Sequence, residues 1–184
     1  MKYLKSFNEA KQVGILYHYT TPDALISILK TDELKIGEYG VNSFTRNKNY
    51  HLKNECVRRG PVRITFDGDA MSNNIKFFPW NSWIAKDKSR QKQKRYYDEW
   101  EERTHADIKG IKKFIIKIDI DPQQTRAWYI AHSISGNWDA EKLIAARPVG
   151  VKKYKNFLKE LKKYPIEIGF VPDGLFYNCS KGAL

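Results

Sequence analysis

Three short polar sets in the chain combine residue types that can do chemistry. The first is His18 with Thr20 beside it, in the stretch Leu16-Tyr17-His18-Tyr19-Thr20-Thr21-Pro22 that runs straight into Asp23-Ala24-Leu25-Ile26-Ser27-Ile28-Leu29-Lys30. One ring nitrogen of a histidine can donate while the other is held by a partner, and a neighbouring hydroxyl adds a second hydrogen-bonding group, which suits contact with a ribose. The second set is Ser43-Phe44-Thr45-Arg46, two hydroxyls and a guanidinium at the polar end of a short segment. The third is the glutamate cluster Glu99, Glu101 and Glu102, which follows directly on the basic run Lys86, Lys88, Arg90, Lys92, Lys94 and Arg95.

Each set needs an element to position it. Thr21 is a suitable N-cap and Pro22 fits the first helical position, where its missing N–H is not needed. Leu25, Ile28 and Leu29 follow at helical spacing, so a strand over 14–19 ending in His18 and Tyr19 passes into a helix that packs back on it. The free N–H groups of that helix start favour a nucleotide at the junction. After a helix end and turn over Thr31 to Lys35 and a loop from Gly37 to Gly40, Val41 to Arg46 alternates like a second short strand. Asn47 to His51 reads as its turn.

Val62, Ile64 and Phe66 alternate with Arg63 and Thr65 as a half-buried strand. Asp67-Gly68-Asp69 departs from the calcium-loop spacing and reads as a turn, with no metal site. The aromatic run Phe77 to Trp83 reads as packing under a loop, with base stacking as the minority reading. For Tyr96 to His105 two readings stay open. As a strand it places Glu99 and Glu101 on one face; as a helix it turns Tyr97, Trp100 and Thr104 inward. Lys113 to Ile120 reads as a strand with Phe114, Ile116, Ile118 and Ile120 on one face, and Arg126 to His132 as either a strand or a helical turn. Val151 to Lys163 is an amphipathic helix with Val151, Tyr154, Phe157, Leu158 and Leu161 inward and lysines outward. Ile166 to Val171 and Leu175 to Tyr177 read as two closing strands joined through Pro172-Asp173-Gly174.

The expected class is α+β in a single domain over 1–184, without internal repeats. A hydrophobic fraction of 41% with 14% aromatics argues against disorder in a chain of 184 residues. The net charge of +12 and pI near 9.6 point toward a polyanion such as nucleic acid, with a solvated lysine-rich surface as the other reading. No run is long enough to span a membrane and the N-terminus lacks a signal-peptide core, so the expected location is the cytoplasm. Cys56 and Cys179 make neither a disulfide framework nor a four-ligand metal set.

Taken together, Tyr17-His18-Tyr19-Thr20 before a short helix, then Ser43-Phe44-Thr45-Arg46, then a glutamate-rich segment before a strand, resemble the three-part signature of the ADP-ribosyltransferase superfamily. The nearest flavour is the DarT-type DNA ADP-ribosyltransferases and related small phage and bacterial proteins, over roughly residues 14 to 120. The resemblance implies a split mixed β core with flanking helices, a cleft for NAD as substrate, and transfer of ADP-ribose with loss of nicotinamide. It implies cofactor contacts from His18, Tyr19, Thr20, Ser43, Thr45 and Tyr50, with Tyr50 stacking on nicotinamide in competition with Phe44 and Tyr39. Arg46 becomes an active-site arginine that holds the pyrophosphate or a target base. The third motif should supply one carboxylate, to stabilise positive charge on the ribose and deprotonate the acceptor. Glu101 is the first choice, with Glu99 and Glu102 as alternatives.

For such a transferase the charge favours a nucleic-acid acceptor, a single-stranded or flipped base, with Lys86 to Arg95 and the lysine face of the Val151 helix on the phosphates. A protein acceptor is the rival. From another class comes a nucleic-acid-binding or inhibitory protein that keeps the fold without turnover. The RNA 2′-phosphotransferase branch ranks last, because its further arginine and histidine motifs are not found.

Overall fold

Alternating strands need partners on both edges, and the computed structural model shows how these are supplied for residues 13–37, 40–46, 60–80, 101–134 and 139–171, the side chains at 79, 80 and 101 excepted. Tyr39, Tyr50, Glu99, the basic run Lys86 to Arg95, both cysteines, the Asn47 to His51 turn and the Leu175 to Tyr177 strand lie outside the described residues. The described chain is a mixed sheet flanked by helices, consistent with the α+β expectation.

The elements in order are β1 (Ile15–Thr20), α1 (Pro22–Thr31), β2 (Glu33–Leu34), β3 (Asn42–Thr45), β4 (Val62–Asp67), α2 (Gly68–Ser72), β5 (Phe78–Trp80), β6 (Glu101–Thr104) and β7 (Ile108–Lys109). A 3-10 turn (Ile111–Phe114), β8 (Ile115–Ile120), α3 (Pro122–Ala131), α4 (Ala140–Leu161) and β9 (Glu167–Phe170) complete them. Seven strands form one sheet in the order β5-β6-β3-β1-β4-β8-β9, and β2 and β7 pair separately. All neighbours in the large sheet are antiparallel except β8 and β9, which run parallel because α3 and α4 carry the chain back across.

Leu16, Val62, Ile64, Phe66, Ile118 and Ile120 are fully buried on one sheet face, with Phe44 at 1% exposure. Leu25, Ile28 and Leu29 of α1 and Phe157 and Leu161 of α4 join the same core. Thr21 caps α1 as expected, its Oγ1 accepting from Ala24 N at 3.2 Å, and Asp32 ends the helix in the left-handed region at φ 56°.

Four expectations change. β4 is not half-buried: Arg63 is 2% exposed, because the strand lies between β1 and β8 and Asp119 stands directly opposite. The guanidinium donates to Asp119 Oδ2 from Nη2 at 2.7 Å and Nε at 3.3 Å, which supplies the pairing a buried charge requires. Asp67-Gly68-Asp69 is a helix start, with Asp67 Oδ1 accepting from Ala70 N at 2.9 Å.

In β8 the register slips where Phe66 faces Ile115 and Thr65 faces Lys117, so Ile116 is the extra residue of a bulge. Ile115 packs against the core, and Ile116 is 45% exposed instead of inward. The last helix begins at Ala140, not Val151, and runs through Pro148. Gly150 lets it press on α3, since a Cβ there would stand 2.5 Å from Ile130 Cα. The open readings resolve to helix for Arg126 to Ala131 and strand for Glu101 to Thr104.

Candidate cleft at the β1–α1 junction

β1 and β3 pair at a single position, Tyr17 opposite Thr45, although β1 continues three residues further beside β4. Beyond that pair His18 takes over the link. Its Nδ1 lies 3.0 Å from the carbonyl oxygen of Ser43. A carbonyl only accepts, so Nδ1 carries a proton and donates it to Ser43 O. The ring is tilted at 51° on Phe44 with centroids 5.6 Å apart, which sets its second degree of freedom.

The parting of the strands opens a cleft of about 560 Å³ lined by His18, Thr20, Ala24, Ser27, Asn42 and Ser43, among others. Its size falls within the usual range of small-ligand sites, about 300–1,000 Å³. One wall is the side of α1 from Ala24 to Thr31. The opposite wall is β2 and the chain that follows it, Glu33, Leu34, Lys35 and Gly37, tied in by Asn42, whose Nδ2 donates to the carbonyl oxygens of Leu34 at 3.2 Å and Ala106 at 3.1 Å. Asp107 Oδ1 accepts from Ile36 N at 2.7 Å and holds the connection beyond β2. Backbone and amide bonds therefore shape this wall, and Asn42 is the cleft residue that sequence reasoning missed. Its signal was present: with Phe44 inward, a strand puts residues 42 and 46 on the same face.

Along that face β6 adds the third set. Register places Glu102 opposite Phe44 and Glu101 opposite Thr45. Glu102 is 3% exposed and its Oε1 is ion-paired with Nη2 of Arg46, while Arg46 Nε is buried without a hydrogen-bond partner among the described residues. Phe44 fills the space between the histidine and the ion pair, with Phe66 and Phe77 edge-on to it at 5.7 and 5.6 Å.

The structure thus divides the expected residues. His18, Thr20 and Ser43 meet at the cleft, and Arg46 with Glu102 meets further along the same sheet face. Tyr19 and Thr45 fall on alternate strand positions, toward the face where Arg63 pairs with Asp119 and stacks 5.5 Å above Tyr17. Among the described residues no group of three acidic, histidine or cysteine side chains is arranged to hold a metal, and no helix is long and apolar enough to cross a membrane.

On the far side of α1 lies a second groove of about 660 Å³, where Tyr129 Oη donates to Asp23 Oδ1 at 2.9 Å. Burial, then the hydrogen bond to the Asp23 carboxylate, pushes the Tyr129 phenol far above its ordinary value. The bond anchors the first turn of α1 to α3, and so fixes the wall of the cleft. The chain matches no protein-family model, and a search of curated proteins finds no match.

Proposed function

We propose that this protein is a cytoplasmic NAD-dependent ADP-ribosyltransferase of the DarT type, transferring ADP-ribose to a nucleic-acid base. One observation carries the reading. β1, β3 and β6 are adjacent, and they bring His18, Arg46 and Glu102 to a single sheet face whose His18 end opens into a cleft along the side of α1. That is the order of the three motifs whose resemblance suggested the superfamily.

The residues fit the chemistry of NAD. Departure of nicotinamide builds positive charge on the attached ribose, and a placed carboxylate stabilises it. His18, oriented by Ser43 O, stands at the cleft where a ribose would lie, and Thr20 adds a second polar group just before α1. Arg46 Nε–H is a buried donor in need of an acceptor, which a pyrophosphate oxygen or a base carbonyl supplies. Glu102 takes the carboxylate role in preference to Glu101, because it shares the face of Phe44 and Arg46 and is held by the guanidinium. An acceptor base enters single-stranded or flipped out.

A second reading draws on the same ion pair. Glu102 is deeply buried and already engaged by Arg46, which suits a nucleic-acid-binding protein that does not turn NAD over. Incubation with labelled NAD and either oligonucleotides or cell lysate, alongside His18→Ala and Glu102→Gln, separates the two. Nuclease-sensitive label that both variants lose supports the transferase on nucleic acid; protease-sensitive label moves the acceptor to protein. Absence of transfer and of NAD binding, with oligonucleotide binding retained, overturns it in favour of the second reading.

A further inference from the structure

The last turns of α4 carry Lys152, Lys155 and Lys159, and its C-cap is Lys162, still in helical conformation; all four are exposed. At 100° per residue these four project within about 80° of one another. Phe157 and Leu161, which are 3% and 1% exposed, lie on the opposite side of the helix. The stripe therefore faces directly away from the core. It covers about 15 Å along the axis at about 1.5 Å per residue. Among the described residues no carboxylate pairs with any of the four. Glu160, the single acid in this stretch, sits to one side and is engaged by Lys163 at 2.6 Å and Lys30 at 3.7 Å.

Such an arrangement is unfavourable for the free helix. Lys152 and Lys155, Lys155 and Lys159, and Lys159 and Lys162 are like charges at three- or four-residue spacing, which repel. A helix face that serves only solubility mixes signs along these rows. Among the described residues the repulsion is left uncompensated, in a molecule whose net charge is already +12. A polyanion laid along the stripe removes it.

We propose that this face of α4 is a contact surface for the phosphate backbone of nucleic acid. It names the surface that holds the acceptor and rests on the transferase reading for that purpose alone; its physics stands without turnover. Nucleic acid is favoured over a bilayer because a membrane-bound amphipathic helix buries its apolar side in lipid, and here that side is buried in the core against α1 and α3. It is favoured over an acidic protein by the regular row of charges, which suits a polymer with a repeating charge along its length.

The test is fluorescence anisotropy of a labelled single-stranded oligonucleotide against the full chain from 50 to 200 mM salt. The variants are the quadruple Lys→Gln at 152, 155, 159 and 162 and the quadruple Lys→Arg at the same positions. Each phosphate contact on a single strand contributes about 0.7 to the slope of log K against log salt, so Lys→Gln should flatten it by about 2 to 3 and weaken binding at least about 10-fold at 100 mM. Lys→Arg keeps the wild-type slope, and unchanged far-ultraviolet dichroism with a Tm no lower than wild type certifies the Lys→Gln fold. An unaltered slope in Lys→Gln overturns the proposal. So does equal, equally lysine-dependent binding to vesicles of mixed phosphatidylserine and phosphatidylcholine or to polyglutamate, which transfers the surface to a membrane or an acidic protein. A flattened slope in a chain that transfers no label from NAD upholds the surface and removes the transferase reading.

Discussion

The guanidinium of Arg46, one residue past β3, closes on the carboxylate of Glu102 in the neighbouring strand β6, at a site where Glu102 is only 3% exposed. A carboxylate so far from water depends on its partner. Arg46→Ala leaves it buried and unpaired, and should lower unfolding free energy in urea by about 3–5 kcal/mol. Replacing both, Arg46→Met with Glu102→Leu, should recover most of that loss while abolishing any transfer from NAD. Equal loss in the single and double variants would show that the pair is not coupled.

His18 acts through orientation. His18→Ala should cost about 1 kcal/mol of stability for the bond to Ser43 O. It should weaken NAD binding by calorimetry far more than that stability change accounts for. Comparable weakening from Thr45→Ala, a buried residue on the other face of the sheet, would show that the cleft is not the binding site.

Gly60 lies under the junction of β1 and α1. A Cβ there would stand 1.9 Å from the Thr20 carbonyl oxygen, in a backbone with φ of +27°. Gly60→Ala should destabilise by more than about 3 kcal/mol, since backbone and not a flexible side chain must move. Gly40→Ala, at φ +69° with open space around the site, should cost about 1–2 kcal/mol from backbone strain alone. Thermal unfolding of the two variants side by side checks the difference.

The phenol of Tyr129 is raised above its ordinary value of 10.0 by burial and by the Asp23 carboxylate. The unfolded chain therefore releases this proton first, near pH 10, while the folded chain keeps it. The stabilisation is complete below about pH 10 and is lost as pH rises beyond it. Tyr129→Phe should flatten the fall in stability between about pH 10 and 12, while costing about 1 kcal/mol at neutral pH for the lost hydrogen bond. Tyr154, also raised by burial, keeps some slope in the variant. Identical alkaline slopes in urea titrations of both proteins would contradict this.

Much of the fold was legible because local signals and tertiary demands agree. Thr21 and Pro22 cap the helix they announce, and Leu25, Ile28 and Leu29 bury the face their spacing defines. The signals failed where a long-range contact overrode them. Periodicity starts the last helix at Val151, and Pro148 lies inside the observed one, where a proline costs about 3 kcal/mol. Yet α4 continues through it, because Gly150 lets the helix pack against Ile130 of α3 and that packing offsets the break. Arg63 reads as a solvent-facing strand residue until Asp119, 56 positions later, arrives opposite it.

By itself the sequence determined the chemistry on offer: a histidine at a strand end before a capped helix, an arginine after a strand, a choice of glutamates, and an unbalanced row of lysines. Residue type and short-range periodicity are properties of the chain and need no partner. Only the tertiary structure decided which of these meet. Strand alternation and the register of β6 on β3 set Glu102 on the face of Phe44 and opposite it, within reach of Arg46. The parting of β1 from β3 after Tyr17 turned His18 into the link across a cleft. Register is a relation between strands distant in sequence, and a shift of one residue would send each of these side chains to the other face.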